Sequence, residues 1–214
     1  MAVPRGTFGH SGPPARPPPQ PAAVVSERLA AYADLVRRWS GRVQLIAAGD
    51  LERLESRHIA DCLRAAPLAR LLPAGPAVDV GSGAGLPGVV LAVAEPERAW
   101  RLLEPNRRRA GFLEEAVRAL ELNAEVLNLS AQEAARRPGL AGGHVLATAR
   151  ALAPPATAFA LLRPLLAGGG VGLVFSGARA RIPAEAEVWA EGIAIIRREP
   201  VHRMEERGKP GGGH

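Results

Sequence analysis

The chain has 214 residues, of which 47% are apolar, 22% charged and only 4% aromatic. That is enough aliphatic material for one ordinary domain with a core of Leu, Val and Ala, and it excludes disorder throughout. The single cysteine, Cys62, excludes an internal disulfide framework and fits a reducing cytoplasm, and no metal is expected from His10, His58, His144, His202 and His214, which stand at no ligand spacing.

Residues 1–22 are Pro-rich and nearly free of large apolar side chains, which predicts a disordered or extended tail. From Ser26 to Trp39 apolar residues recur at Leu29, Tyr32, Leu35, Val36 and Trp39, the stripe of a helix, with Ser26 as cap and Gly41 as stop. A second helix is expected from about Leu51 to Leu71, capped by Asp50. Residues 23–72 thus form an N-terminal helical extension, with Arg37, Arg38, Arg42, Arg53, Arg57 and Arg64 on polar positions.

From Pro76 strands and helices alternate. Strands are expected at Ala77–Val80, Trp100–Leu103, Glu125–Leu127, His144–Thr148 and Val171–Phe175, the last after a Gly168–Gly170 turn. Helices follow through Val89–Ala94, from Asn106 to Leu120, over Ala131–Arg137 and from Pro155 to Leu166. Ile193–Ile196 is a candidate further strand. This spacing gives an α/β, Rossmann-like, mostly parallel doubly wound sheet over residues 73–206, with a flexible tail over 207–214. The longest apolar runs, Val89–Ala94 and Val171–Phe175, are far short of a membrane span, and the first residues carry no apolar signal core.

The net charge is +6, from 27 Lys and Arg against 21 Asp and Glu, and Lys209 is the one lysine. Such a field suits a polyanion such as nucleic acid; replacement of Lys by Arg in a high-GC genome gives the same composition with no partner.

The most informative string is Asp79-Val80-Gly81-Ser82-Gly83-Ala84-Gly85-Leu86-Pro87-Gly88, between the first strand and its helix. Glycines there let the backbone turn tightly and approach a ligand. Gly83, Gly85 and Gly88 satisfy a dinucleotide fingerprint, whereas Asp79, Gly81, Gly83 and Gly85 match motif I of class I AdoMet-dependent methyltransferases. Glu104, ending the second strand, binds ribose hydroxyls in either case. Asp79 discriminates: its charge repels a pyrophosphate and suits the ammonium and sulfonium of AdoMet. The methyltransferase reading is favoured.

With the glycine loop and its Leu86-Pro87-Gly88 continuation stand Arg57-His58-Ile59-Ala60-Asp61-Cys62, Leu102-Leu103-Glu104-Pro105 with Arg108 and Phe112-Leu113, and Thr148-Ala149-Arg150-Ala151-Leu152-Ala153-Pro154. In order and spacing, from about Leu29 to Gly177, the set resembles the RsmG (GidB) family of 16S ribosomal RNA guanine-N7 methyltransferases. The resemblance implies S-adenosyl-L-methionine as cofactor, small-subunit RNA as substrate and a cytoplasmic enzyme, with a monomer as the default. It implies that Gly81 and Leu86 line the methionine and adenosine parts, that Glu104 faces the ribose, that Gln132 and Glu133 hold the adenine end, and that Arg150 stands at the cofactor. Glu133 is also readable as a helix N-terminal acid. Arg37, Arg38, Arg42, Arg53 and Arg57, with Arg107, Arg108 and Arg109, are candidates to grip RNA phosphates as a group; for any one of them a solvated helix face is the simpler account. His58 reads first as structural and second as an RNA contact, and Trp39 as core.

Guanine N7 carries an in-plane lone pair and needs no deprotonation, so orientation and water exclusion suffice. No catalytic acid, base or nucleophile is assigned, and the asparagine-proline-proline-aromatic motif of exocyclic-amine methyltransferases is absent. The chain departs from the family's usual strings at Ser176-Gly177 for Lys-Gly, at Gly143-His144 for an aromatic-acidic pair, and at Gln44-Leu45-Ile46 for Asn-Leu-Thr. The alternatives are a degenerate, non-catalytic AdoMet- or RNA-binding relative and a small-molecule methyltransferase, with a dinucleotide oxidoreductase last.

Overall fold

A computed structural model describes residues 21–177 and 180–200. Of the expected N-terminal tail only Pro21 and Ala22 fall among these, and the expected tail over 207–214 lies outside them. Helix α1 spans Ala22–Ser40 and is capped by Pro21 and Gly41. Ser26 is therefore inside the helix, not its cap, because the Ala22-Ala-Val-Val stretch adds a turn of helix formers before it. Its buried stripe is Leu29, Tyr32, Ala33, Leu35 and Val36.

The expected continuous helix from Leu51 to Leu71 is broken into four pieces. A 3-10 turn covers Ala48–Arg53, a π-helical turn Leu54–Ile59, α2 Ala60–Leu63 and α3 Ala66–Leu71. Asp50 lies within the first turn and caps nothing. Leu54 and Ile59 are both buried, and the wider π turn brings positions five apart onto one face. Pro67 near the start of α3 has no N–H to continue the preceding turn.

The sheet alternates as expected. It comprises β1 (Ala77–Val80), α4 (Gly88–Ala94), β2 (Trp100–Leu103), α5 (Arg107–Ala119), β3 (Ala124–Leu127), α6 (Ala131–Ala134), β4 (His144–Arg150), α7 (Pro155–Leu162), β5 (Leu166–Phe175), β6 (Glu187–Ala190) and β7 (Ile193–Arg197). The order is β3-β2-β1-β4-β5-β7-β6. β1 to β5 run parallel, and β7 is antiparallel to both β5 and β6. Two boundaries differ from expectation. Gly168–Gly170 is a bulge within β5, where the register slips opposite His144 and a Cβ on Gly170 would lie 2.8 Å from the His144 carbonyl. β6 is a short, largely exposed edge strand without the apolar run that marks the others.

One core cluster packs α1, α2, α4 and α5 against the sheet, and a second packs α6 and α7 on the other face. Trp39 meets Phe112 edge-on at 5.8 Å, and Arg28 donates to the Leu120 carbonyl at the end of α5, so α1 is fastened to the sheet domain. Strand order reverses at β1 and β4, whose carboxyl ends therefore open the crevice where such sheets bind ligands.

Candidate functional site

Beyond β1 the chain turns through Gly81, Gly83 and Gly85 at φ of +68, +54 and +87°. A Cβ on Gly81 would lie 2.7 Å from Leu152, and one on Gly85 would lie 2.5 Å from Val89. Only glycine fits this path. Tyr32, fully buried on α1, donates its hydroxyl to the Ala84 carbonyl. A residue of the helical extension thus holds the glycine loop, and burial raises the phenol well above its ordinary pKa, so it stays protonated.

Asp79, which the sequence set beside the cationic groups of the cofactor, is turned to the loop and to β4. It is 1% exposed, accepting from the Thr148 hydroxyl at 2.6 Å and from the Gly88 N–H at 3.2 Å. Burial pushes its carboxyl up to about 6, against the pull of Thr148, Ser82 and Gly88. Glu104, 3% exposed, is likewise turned inward: one oxygen accepts from the Gly83 N–H and the other from the Asn106 N–H, each at 2.9 Å. Both carboxylates therefore shape the loop, because its backbone N–H groups have no helix or ladder partner and take side-chain oxygens instead.

A cavity of about 370 Å³ opens over the loop, walled by Gly81 to Ala84 and Leu86 on one side. Leu45, Ile46, Asp50 and His58 of the extension, with Arg109, Arg150 and Ala151, close the other. Gly85 is set back from it. Glu104, Gln132 and Glu133 do not line it: Gln132 and Glu133 are exposed on α6, and Glu133 closes a capping box with Ser130 at 2.8 and 2.7 Å. The reading of Glu133 as a helix N-terminal acid is the one the structure displays.

Arg150 ends β4 and reaches back into the extension. It donates to the His58 carbonyl at 2.9 Å, to Cys62 Sγ at 3.2 Å and to His58 Nδ1 at 2.6 Å. With Nδ1 accepting, the imidazole proton sits on Nε2. Burial, then Arg150, lowers the His58 pKa, which keeps the ring neutral. Nε2 is buried without a hydrogen bond, 3.5 Å from Asp50 Oδ1. Burial pushes the Cys62 thiol up to about 12, so it offers no thiolate. Ala151 turns at φ +51°, a strained position between this cavity and its neighbour.

A second cavity, of about 500 Å³, adjoins the first through Arg150 and Ala151. Arg57, Arg64, Phe175, Ser176 and Glu191 line it. The other arginine candidates scatter. Arg37 is spent on Glu55 and Asp34, at 2.6 and 3.1 Å, whereas Arg38, Arg42, Arg107 and Arg108 are exposed with no ion pair among the described residues. Sequence reasoning gave no site role to Tyr32, Thr148, Asp50 or Glu191, reading Asp50 only as a helix cap. Thr148 stood within a quoted string and Tyr32 on a helical stripe, but nothing local tells a packing role from a loop-holding one. No described helix is long and apolar enough to cross a membrane.

The family model described as "rRNA small subunit methyltransferase G" (GidB) matches residues 25–205. The chain is 44% identical to the ribosomal RNA small subunit methyltransferase G of Acidiphilium cryptum, over 75% of this chain and 73% of that one. It is 42% identical to that of Granulibacter bethesdensis, over 71% and 68%. Among solved structures it resembles a methyltransferase from Geobacter sulfurreducens (TM-score 0.56, 14% identity, 81% and 88% covered). It also resembles a putative S-adenosyl-L-methionine-dependent methyltransferase from Methanococcus maripaludis (TM-score 0.55, 16% identity, 74% and 94% covered). At these identities the two structures speak for the fold, that of class I methyltransferases.

Proposed function

The chain belongs to the rRNA small subunit methyltransferase G family, and from that premise we propose that it methylates N7 of a guanine in 16S ribosomal RNA. It is an AdoMet-dependent methyltransferase of ribosomal RNA. The observation that supports the finer reading is the wall of Gly81 to Ala84 facing a cavity whose two basic groups, Asp50 and His58, are turned to one another and to Arg150 and so are not set to deprotonate a substrate amine.

The residues present fit the cofactor. Gly81 and Gly83 present backbone without side chains to the cavity, which lies within the ~300–1,000 Å³ span of small-ligand sites. His58 Nε2–H makes no close hydrogen bond, with Asp50 Oδ1 3.5 Å away, and has room to donate to a ligand acceptor. When bound, S-adenosyl-L-methionine supplies an electrophilic sulfonium methyl that the in-plane N7 lone pair takes in line, with no proton to remove.

Gly81, Gly83 and Leu86 line the methionine and adenosine parts, and Gly85 keeps the turn in register. The ends of β2 and β3 are tied by Asn128, which donates to the Glu104 and Pro105 carbonyls at 2.8 and 3.0 Å. That end carries the ribose and adenine, with Gln132 and Glu133 at its rim. Each Glu104 oxygen keeps a lone pair for a ribose hydroxyl. Asp79 serves indirectly, by fixing the loop. Arg150 and His58 keep the extension closed over the cavity and water out of it. The substrate is the small ribosomal subunit or its RNA, which places the enzyme in the cytoplasm, and we take it to act as a monomer.

The test is incubation with AdoMet and small subunits from cells lacking the modification, followed by nucleoside mass spectrometry. New 7-methylguanosine, lost in Gly81→Asp, is expected. Cofactor binding without methylation of any RNA would instead favour a non-catalytic relative.

A further inference from the structure

The second cavity has two distinguishable ends. One end shares Arg150 and Ala151 with the glycine-loop cavity. The other shares Ser176 and Glu191 with a shallow depression outside β6 and β7 that has no glycine-loop residue in it. The rim between them is a charged chain. Arg64 donates to the Glu191 carbonyl at 2.7 Å and stands 3.6 Å from Asp61, which stands 4.0 Å from Arg150. Phe175 forms an apolar wall, with the Arg150 guanidinium 5.9 Å from its ring centre.

The two carboxylates here are unlike. Asp61 already faces two guanidiniums. Glu191, in the turn between β6 and β7, uses only its backbone carbonyl; its carboxylate is exposed and has no ion pair or hydrogen bond among the described residues. A free carboxylate at the far end of a basic, partly aromatic pocket is suited to a ligand with two adjacent N–H donors, an anionic tail and a flat face. Among RNA bases only guanine offers two such donors, N1–H and N2–H, on one edge. A base unstacked from its strand is read on that edge.

We propose that this second cavity takes the flipped target nucleotide, and that Glu191 selects guanine by accepting from N1–H and N2–H. The inference rests on the guanine-N7 reading above and deepens it. N7 lies on the opposite side of the purine from N1 and N2. A guanine held by Glu191 at the far end therefore presents N7 toward Arg150 and the glycine-loop cavity. Arg57 and Arg64, both at the pocket's edge, take the flanking phosphates. Glu191 is a specificity residue and takes no part in methyl transfer.

Two matched RNA substrates test this, one with guanine at the target position and one with inosine, which lacks the N2 amino group. The wild-type chain is expected to prefer guanine by about tenfold in kcat/KM, the loss of one hydrogen bond of a bidentate pair. In Glu191→Ala the preference should collapse toward one, with cofactor affinity and melting temperature unchanged. Glu191→Gln, which keeps one acceptor, should fall between. An equal guanine-to-inosine ratio in wild type and Glu191→Ala, with 7-methylguanosine still formed, overturns the proposal and leaves the N7 reading intact. Absence of 7-methylguanosine from the wild-type reaction removes both.

Discussion

The two adjoining cavities are built in opposite ways. The floor of the glycine-loop cavity comes from one short stretch, Gly81 to Ala84 with Leu86. Its shape is fixed from within, by positive φ values and by Asp79 and Glu104 gripping the loop's own N–H groups. The second cavity draws its walls from residues as far apart as Arg57 and Ile193, and its polar groups face outward or one another across the rim. The first is preorganised by buried carboxylates hydrogen-bonded to the loop, which suits a small ligand that is the same in every turnover. The second leaves cationic and anionic groups exposed for a large partner to complete.

The sharpest way to break this contrast is Gly85→Ala. The new Cβ meets Val89 at 2.5 Å at a backbone position of φ +87°. Strain and overpacking together cost about 2–4 kcal/mol. Thermal melting should fall by roughly 5–15 °C for a domain of this size, and cofactor affinity should fall with it, because the loop must shift. A variant that melts like wild type would mean the loop is far more yielding than its packing implies.

Asp79→Asn probes the same region through pH. Burial raises the Asp79 carboxyl from 3.8 to about 6, so the folded chain holds this proton more tightly than the unfolded chain. Its contribution to stability is therefore fullest below the unfolded value and declines as pH rises through about 6. The amide cannot ionise. The melting temperature of the variant relative to wild type should climb between about pH 4 and pH 7; a constant difference across that range would show that Asp79 does not titrate there.

The smallest effects belong to the second cavity's surroundings. Arg64→Ala should lower the salt slope of RNA binding by about one unit, the signature of one lost phosphate contact. Arg37→Ala should leave the slope and the melting temperature unaltered, because that guanidinium is held by two carboxylates, at 2.6 and 3.1 Å, whereas Arg64 meets its one carboxylate only at 3.6 Å and otherwise a neutral carbonyl. Equal slopes for the two variants would erase the distinction between a cavity arginine and a surface one.

Much of this was legible beforehand. The strand–helix alternation from Ala77 to Phe175, the parallel sheet and the glycine loop follow from periodicity and from residues that only certain backbone paths tolerate. The misjudged elements are those whose conformation answers to distant partners. The segment from Asp50 to Leu71 has ordinary helical spacing, yet burial of both Leu54 and Ile59 draws it into a π turn. The β5 glycines read as a turn, but pairing with β4 makes them a bulge.

The sequence by itself determined the family, the sheet and the place of the glycine loop, because glycine geometry and strand-end position are local properties. Tertiary structure decided which charges remain available. Asp79 and Glu104 looked like ligand contacts; Asp79 is committed to the Thr148 hydroxyl and the Gly88 N–H, and Glu104 to two backbone N–H groups with a lone pair left on each oxygen. Arg37 looked like an RNA contact and is neutralised. His58 and Arg150, 92 residues apart, are joined, and the Glu191 carboxylate has no partner among the described residues, at a cavity no linear pattern reveals. A side chain's charge is written in the chain, but whether that charge is already satisfied depends on what the fold brings within hydrogen-bonding distance of it.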